Sequence, residues 1–336
     1  MNSVELMRER LSANRLLLAP MAGYTDAIFR GICKEFGCGL TCTEMVSAQG
    51  IAYNNDKTLD YLEIPDSEGD AAVQLFGSDP AVIAKQAARV EEMLGGKLAA
   101  VDLNMGCPVP KVIKKGEGSA LMKDAPRAAQ IVSVVRDAVS VPVTVKFRRG
   151  FEAGEDIAAE FGLAMQDAGA SACCVHGRFA SDFYHGSANW DSIARVKEAL
   201  EIPVVASGDL FDHRAIADCL EQTGADAVMV ARGAIGNPWI FEQTKGFLET
   251  GEEPSSPSLE ERLDVARTHA RRLGERDAHS VIKMRSFIGG YFKGMPGAAK
   301  IREGAMHCDS IGEFERYFNE IERVAIERGF IDGVRR

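Results

Sequence analysis

Eight short apolar runs alternating with helical patterns predict an α/β TIM (β/α)8 barrel followed by a small C-terminal helical bundle. The runs lie at 16–23, 39–45, 71–77, 99–106, 141–148, 170–177, 203–208 and 227–233, and each has the length and β-rich content of a buried strand. Apolar residues at helical spacing fill 25–36, 80–94, 126–139, 153–168, 190–200 and 214–222 between them. No Gly-x-Gly-x-x-Gly follows the first run, which disfavours a doubly wound open sheet. Residues 251–258, Gly-Glu-Glu-Pro-Ser-Ser-Pro-Ser, break both periodicities and read as a linker. The expected domains are thus 1–250 and 251–336, the second built from helices at 259–276, 280–293, 297–306 and 311–328.

The 336 residues suit one large barrel with an appendage, and the composition, 46% hydrophobic and 26% charged, is ordinary for a globular chain. No apolar run approaches the ~20 residues of a membrane helix, and the polar first ten residues show no secretory signal, so a cytoplasmic protein is expected. Eight cysteines without a Cys-x-x-Cys pair argue for reduced thiols, with no metal site. The net charge of −10 conceals an asymmetry. Residues 262–302 hold ten Lys or Arg against three Asp or Glu, a local surplus of +7 that marks a basic surface on an acidic body.

In such a barrel chemistry resides at the C-terminal strand ends. The first end brings Pro20-Met21-Ala22-Gly23, the third Gln74, the fourth Asn104 and Cys107, the fifth Lys146 and Arg148. The sixth brings His176-Gly177-Arg178, the seventh Ser207-Gly208-Asp209 and the eighth Ala231-Arg232-Gly233. The two glycine turns at strands seven and eight suit a backbone cradle for a dianionic phosphate, hence a phosphorylated cofactor across the barrel mouth. Cys107 leaves a strand into a loop with Lys111, Lys114 and Lys115, a setting suited to chemistry on an anionic partner. Taken singly, a Gly-Asp or Arg-Gly dipeptide is a turn and a lone cysteine a small core residue; their joint placement gives them weight.

Several motifs together resemble the tRNA-dihydrouridine synthases. They are Asn104-Met105-Gly106-Cys107-Pro108, then Lys111-Val112 and Gly116-Glu117-Gly118-Ser119-Ala120-Leu121-Met122. The opening Leu18-Ala19-Pro20-Met21-Ala22-Gly23-Tyr24-Thr25-Asp26, the Val145-Lys146-Phe147-Arg148 segment and the close Arg232-Gly233-Ala234-Ile235-Gly236-Asn237-Pro238-Trp239 resemble the family too. Tyr291-Phe292-Lys293-Gly294-Met295-Pro296-Gly297-Ala298 is similar to the bacterial B-type subfamily. The resemblance covers roughly 16–305. It implies an FMN enzyme that reduces the C5=C6 bond of a uridine in tRNA, with NADPH as the usual electron donor. Cys107 would then protonate C5 while hydride reaches C6. Pro20, Met21, Gln74, Lys146 and His176 would hold the flavin, and Ser207, Gly208, Asp209, Arg232 and Gly233 its phosphate. Asn104, Lys111, Arg148, Arg178, Lys283, Arg285 and Lys293 would meet the RNA, whose target uracil must be flipped out.

Two stretches depart from the family pattern. Phe179-Ala180-Ser181-Asp182 replaces the common Thr-Arg-x-Gln, and Ser207 stands where asparagine is usual. The competing readings are a uridine in ribosomal RNA, a flavin barrel acting on a free pyrimidine as dihydroorotate and dihydropyrimidine dehydrogenases do, a Schiff-base aldolase using Lys146, and a barrel that binds RNA without chemistry. No obligate protein partner and no membrane partner is expected.

Overall fold

The apolar runs become a ring of parallel strands. In the computed structural model, which describes residues 2–327, these are β1 (Leu16–Leu18), β2 (Thr41–Cys42), β3 (Ala71–Phe76), β4 (Leu98–Met105), β5 (Val143–Gly150), β6 (Ala172–Phe179), β7 (Val204–Ser207) and β8 (Ala227–Val230). β1 pairs with β8, and parallel pairing then runs from β8 back to β2 in sequence order. A parallel bridge between Leu17 and Leu40 joins β1 to the chain entering β2 and closes the ring, with the Leu18 N–H donating to the Leu40 carbonyl at 2.9 Å. Helices cross between successive strands, as parallel neighbours require.

β1 and β2 are shorter than their apolar runs for local reasons. Pro20 has no N–H for a ladder, and the chain turns at Gly23, φ +82°, so that the Met21 carbonyl accepts the N–H groups of Tyr24 and Thr25. In the second run, Thr43 Oγ1 accepts the Gln74 N–H at 3.1 Å, and the side chain replaces a ladder acceptor. The chain pairs again at Val46–Ser47, opposite Leu75 and Phe76. The helix expected at 153–168 begins only at Ala158, because Asp156 is held by Arg149, Arg195 and the Ser192 hydroxyl.

Small side chains fill the barrel. Ala72, Ala100, Ala172, Ala227, Cys42 and Cys174 form one cluster with Leu17, Val205 and Met229, into which Met7 and Leu11 of the helix Ser3–Ala13 also pack. Each fully buried Leu, Val or Met contributes roughly 1.5–3 kcal/mol of hydrophobic stabilisation. A buried ion pair anchors the loop after β1: Arg30 Nε and Nη2 donate to Glu68 at 2.8 and 3.0 Å, and Nη1 donates to the Thr25 carbonyl at 2.9 Å. Glu68→Gln should cost about 3 kcal/mol of stability, since it strands a buried guanidinium. Urea unfolding checks this, and an unchanged midpoint counts against it.

The chain divides into two compact units, Met1–Gly233 and Ala234–Arg336. The sequence boundary expected at 250 thus differs from the structural one by the segment that holds the helix Trp239–Thr250. The reason is packing within the second unit. Gly236 and Gly290 approach so closely that a Cβ on Gly290 would lie 1.9 Å from the Ile235 carbonyl, and Trp239 packs edge-on against Tyr291 at 6.0 Å. The second unit also contains helices Leu259–Arg276, Met284–Tyr291, Ala298–Ala305 and Ile311–Glu327, around buried Phe287, Tyr291, Phe314 and Phe318. Residue 328, expected to end the last helix, lies outside the described residues.

Candidate active site at the strand exits

β4 ends at Met105 and the chain leaves through Gly106 and Cys107. Of the eight cysteines, only Cys107 is not buried. Its loop is held from three sides. Asn104 Oδ1 accepts the N–H groups of Cys107 at 3.0 Å and Gly106 at 3.3 Å, and Arg148 Nε on β5 donates to the Gly106 carbonyl at 3.0 Å. Ser119 donates its N–H at 3.1 Å and its hydroxyl at 3.0 Å to the Cys107 carbonyl. That approach needs glycine at 118: its φ is +61°, and a Cβ would lie 2.8 Å from the Cys107 carbonyl oxygen. Burial pushes the Cys107 thiol above its ordinary value, partly offset by the Val109 N–H and by the charges of Arg148, Lys111 and Lys146. The sulfur is therefore a protonated thiol at neutral pH.

A polar row crosses the barrel interior below this loop. Gln74, Asp102 and Thr144 stand in register on β3, β4 and β5, and Asn104 stands level with Lys146. Gln74 Nε2 donates to Asp102 Oδ2 at 2.7 Å and Thr144 Oγ1 to Asp102 Oδ1 at 2.5 Å, while Gln74 Oε1 accepts from Asn104 Nδ2 at 2.7 Å. Burial pushes the Asp102 carboxyl up to about 6, against the two hydrogen bonds and the Lys146 charge. Lys146 is half-buried, and no hydrogen bond or ion pair engages its ammonium among the described residues.

The opposite rim, from β6 to β8, gathers cations around a histidine. His176 is buried, and desolvation together with Lys146, Arg148, Arg178 and Arg232 holds its pKa well below the usual histidine value. It is a neutral imidazole amid four cations. Gly208, φ +117°, lies so close that a Cβ would meet His176 Cδ2 at 2.8 Å and Ala188 Cβ at 2.7 Å. Asp209 accepts from Arg178 Nη2 at 2.7 and 2.8 Å, from the Ala188 N–H at 2.7 Å and from Arg232 Nη2 at 3.3 Å. Arg232 remains 40% exposed, with its guanidinium 4.9 Å from the Tyr184 ring and 5.2 Å from that of Phe211.

The first unit brings together Met21, Gln74, Asn104, Cys107, Lys146, His176, Gly208 and Arg232 at or near the strand exits, with Pro20 and Gly233 beside them. Others expected at ligands are committed within the protein. Arg148 and Arg178 are buried; Arg148 donates to the Gly106, Phe179 and Phe183 carbonyls, and Arg178 to those of His185 and Gly186 besides Asp209. The Ser207 hydroxyl donates to the Met229 carbonyl, and the Asp209 carboxylate is saturated by its three donors. In the departing stretch, Asp182 caps the Phe179 N–H and Arg149 lies over the Phe179 ring at 4.2 Å. Lys111 is exposed. In the second unit Arg285 is bound to the Cys308 carbonyl and Asp309, Lys283 is half-buried, and Lys293 is exposed. Sequence reading missed Asp102, Thr144, Tyr184 and Phe211. A carboxylate two residues before Asn104 in an apolar strand was the available signal for Asp102, since alternate residues share a face.

A family model described as Dihydrouridine synthase (Dus) matches residues 17–327. A probable tRNA-dihydrouridine synthase of Rickettsia conorii is 41% identical over 295 residues, covering 87% of this chain and 88% of that one. A tRNA-dihydrouridine synthase B of Pseudomonas aeruginosa is 38% identical over 293 residues, covering 86% and 87%. Among solved structures, histamine dehydrogenase from Rhizobium sp. 4-9 superposes with a TM-score of 0.54 at 16% identity. The match covers 77% of this chain and about half, 49%, of that one, and it shows the barrel fold alone.

Proposed function

The chain belongs to the dihydrouridine synthase family, and from that premise we propose that it reduces the C5=C6 bond of uridines in tRNA to dihydrouridine, with bound FMN and with NADPH as electron donor. The observation that carries the reading is the Cys107 loop: an accessible thiol, kept protonated by burial and fixed by bonds from Asn104, Arg148 and Ser119. The rim residues fit a flavin phosphate. Gly208, at φ +117°, lets its turn pack directly against His176 and Ala188, Arg232 offers an exposed cation, and neutral His176 can donate a hydrogen bond without adding charge. Pro20, Met21 and Gln74 would line the ring, Gly233 would join the phosphate cradle, and Lys146, whose ammonium is otherwise unengaged among the described residues, would offset negative charge on the reduced ring. When bound, the flavin supplies the hydride for C6 of the uracil.

The chain itself supplies the proton and the positioning. Cys107 Sγ–H is the general acid at C5, a role that asks for a held and reachable thiol. The uracil must leave its stack to reach the strand exits. Exposed Lys111, Lys114 and Lys115 in the first unit, and Arg271, Lys293, Lys300 and Arg302 in the second, are cations for the RNA backbone. NADPH-dependent appearance of dihydrouridine in tRNA lacking it, counted by mass spectrometry of digested nucleosides, tests the proposal. Product only in ribosomal RNA, or none in either, would overturn it. Arg232→Ala should weaken FMN retention about tenfold, the size of one charge-assisted hydrogen bond; flavin content after gel filtration reads this, and undiminished content removes Arg232 from the phosphate site.

A further inference from the structure

We propose that Asp102 is a positioning residue that, through Gln74 and Asn104, fixes the orientation of the loop carrying Cys107. The inference rests on the assignment of Cys107 to the reaction. It starts from the one donor whose identity is beyond choice, the backbone N–H of Cys107. Because Asn104 receives that N–H at 3.0 Å, its oxygen faces the loop and its Nδ2 faces Gln74. Gln74 must then present Oε1 to Asn104 and Nε2 to the next group along, and that group must accept. It is Asp102 Oδ2, at 2.7 Å. Reversing Asn104 sets donor against donor at the Cys107 N–H; reversing Gln74 sets donor against donor at Asn104 Nδ2 and acceptor against acceptor at Asp102. Asp102 is 2% exposed and lines a small internal cavity whose other walls are mostly apolar, among them Met7, Leu17, Cys42, Ala72, Ala172 and Met229. Water does not supply an alternative acceptor in such a setting as readily as the carboxylate does.

Thr144 completes the device. Its hydroxyl donates to Asp102 Oδ1 at 2.5 Å, and a hydroxyl can also accept. When Asp102 takes a proton, that proton can sit on Oδ1 and point at Thr144, leaving Oδ2 an acceptor for Gln74. The relay therefore keeps its direction in both charge states. The charged and titratable groups facing Asp102 are Lys146 on β5, Cys42 on β2 and Cys173 and Cys174 on β6; the thiols are pushed up by burial and remain neutral.

Alkylation of Cys107 by iodoacetamide, followed by peptide mass spectrometry on the FMN-loaded protein, reads the loop directly. Asp102→Leu removes the acceptor and should speed alkylation at least fivefold, and should slow tRNA-dependent flavin reoxidation at least tenfold with FMN retained. Asp102→Asn, which can offer its amide oxygen to Gln74 and its NH2 to Thr144, should stay within about threefold of the parent in both. Should Asp102→Leu fail to fold, Thr144→Val decides. With no acceptor for the Oδ1 proton, its alkylation rate relative to the parent should rise at least fivefold on going from about pH 8 to about pH 5.5. Parent-like alkylation in Asp102→Leu, a flat ratio in Thr144→Val, or an Asp102→Asn as loose as Asp102→Leu would each overturn the inference. Parent protein that ignores tRNA would overturn the proposed function instead, and the alkylation ratios would still decide the relay.

Discussion

Cys107→Ala should retain FMN and accept electrons from NADPH at the parent rate, yet reduce tRNA uridine about 10²–10⁴ times more slowly, the usual contribution of a positioned general acid. The separation follows from the structure. The proposed phosphate rim is made by β6, β7 and β8, whereas Cys107 reaches the mouth from β4, with the Val109 N–H beside its sulfur. Alanine keeps the backbone N–H and carbonyl that Asn104 and Ser119 hold, so the loop should keep its course. The acid function also has a pH signature. Burial raises the thiol above its ordinary 9.0, and the proposed role as general acid requires the protonated form. The rate of uridine reduction should therefore be insensitive to this group through neutral pH, and fall as pH rises through a value above 9.0. A falling limb at neutral pH, or parent-like turnover in Cys107→Ala, would remove Cys107 from the proton transfer.

Gly208→Ala should yield a protein almost without flavin, below about a tenth of the parent content, as expected for a methyl forced into a close-packed site. At φ +117° an alanine is strained before any contact is counted, and its Cβ would stand 2.7 Å from Ala188 Cβ and 2.8 Å from His176 Cδ2. Relief requires the imidazole or the loop around Ala188 to move. That loop is tied down by Asp209 accepting the Ala188 N–H and by Trp190 Nε1 donating to the Gly208 carbonyl. Displacement of His176 is thus the cheaper response, and it removes the neutral donor from the rim. Flavin absorbance after reconstitution, with circular dichroism to confirm the fold, measures the effect. Parent-like flavin content would show that the rim is not the phosphate site.

The barrel was legible because its strands are apolar, short and evenly spaced, and the helix Pro80–Leu94 has the bounds its periodicity predicts. Strand ends were less so. β2 stops where the Thr43 hydroxyl replaces a backbone acceptor, which no periodicity reports. Cys107 and Gly208 are legible through their joint placement at the strand exits, since singly a Gly-Asp reads as a turn and a cysteine as a core residue. Arg148 and Arg178 stood out equally, but a buried guanidinium that clamps loop carbonyls and an exposed one that meets a ligand look alike in sequence. The basic stretch 262–302 carried the same ambiguity. Arg262, Arg267 and Arg285 hold the helical unit together, whereas Lys293, Lys300 and Arg302 are exposed. Asp102 was hidden by its setting in an apolar strand, where one carboxylate reads as an exception until its partners on β3 and β5 are known.

The most direct test of the central claim is anaerobic. The FMN-loaded protein is reduced with NADPH, mixed with tRNA lacking dihydrouridine, and followed at the oxidised-flavin band. Rapid reoxidation by that tRNA, with none from free uracil or orotate, is the predicted result. Reoxidation by the free pyrimidines and not by tRNA would contradict it.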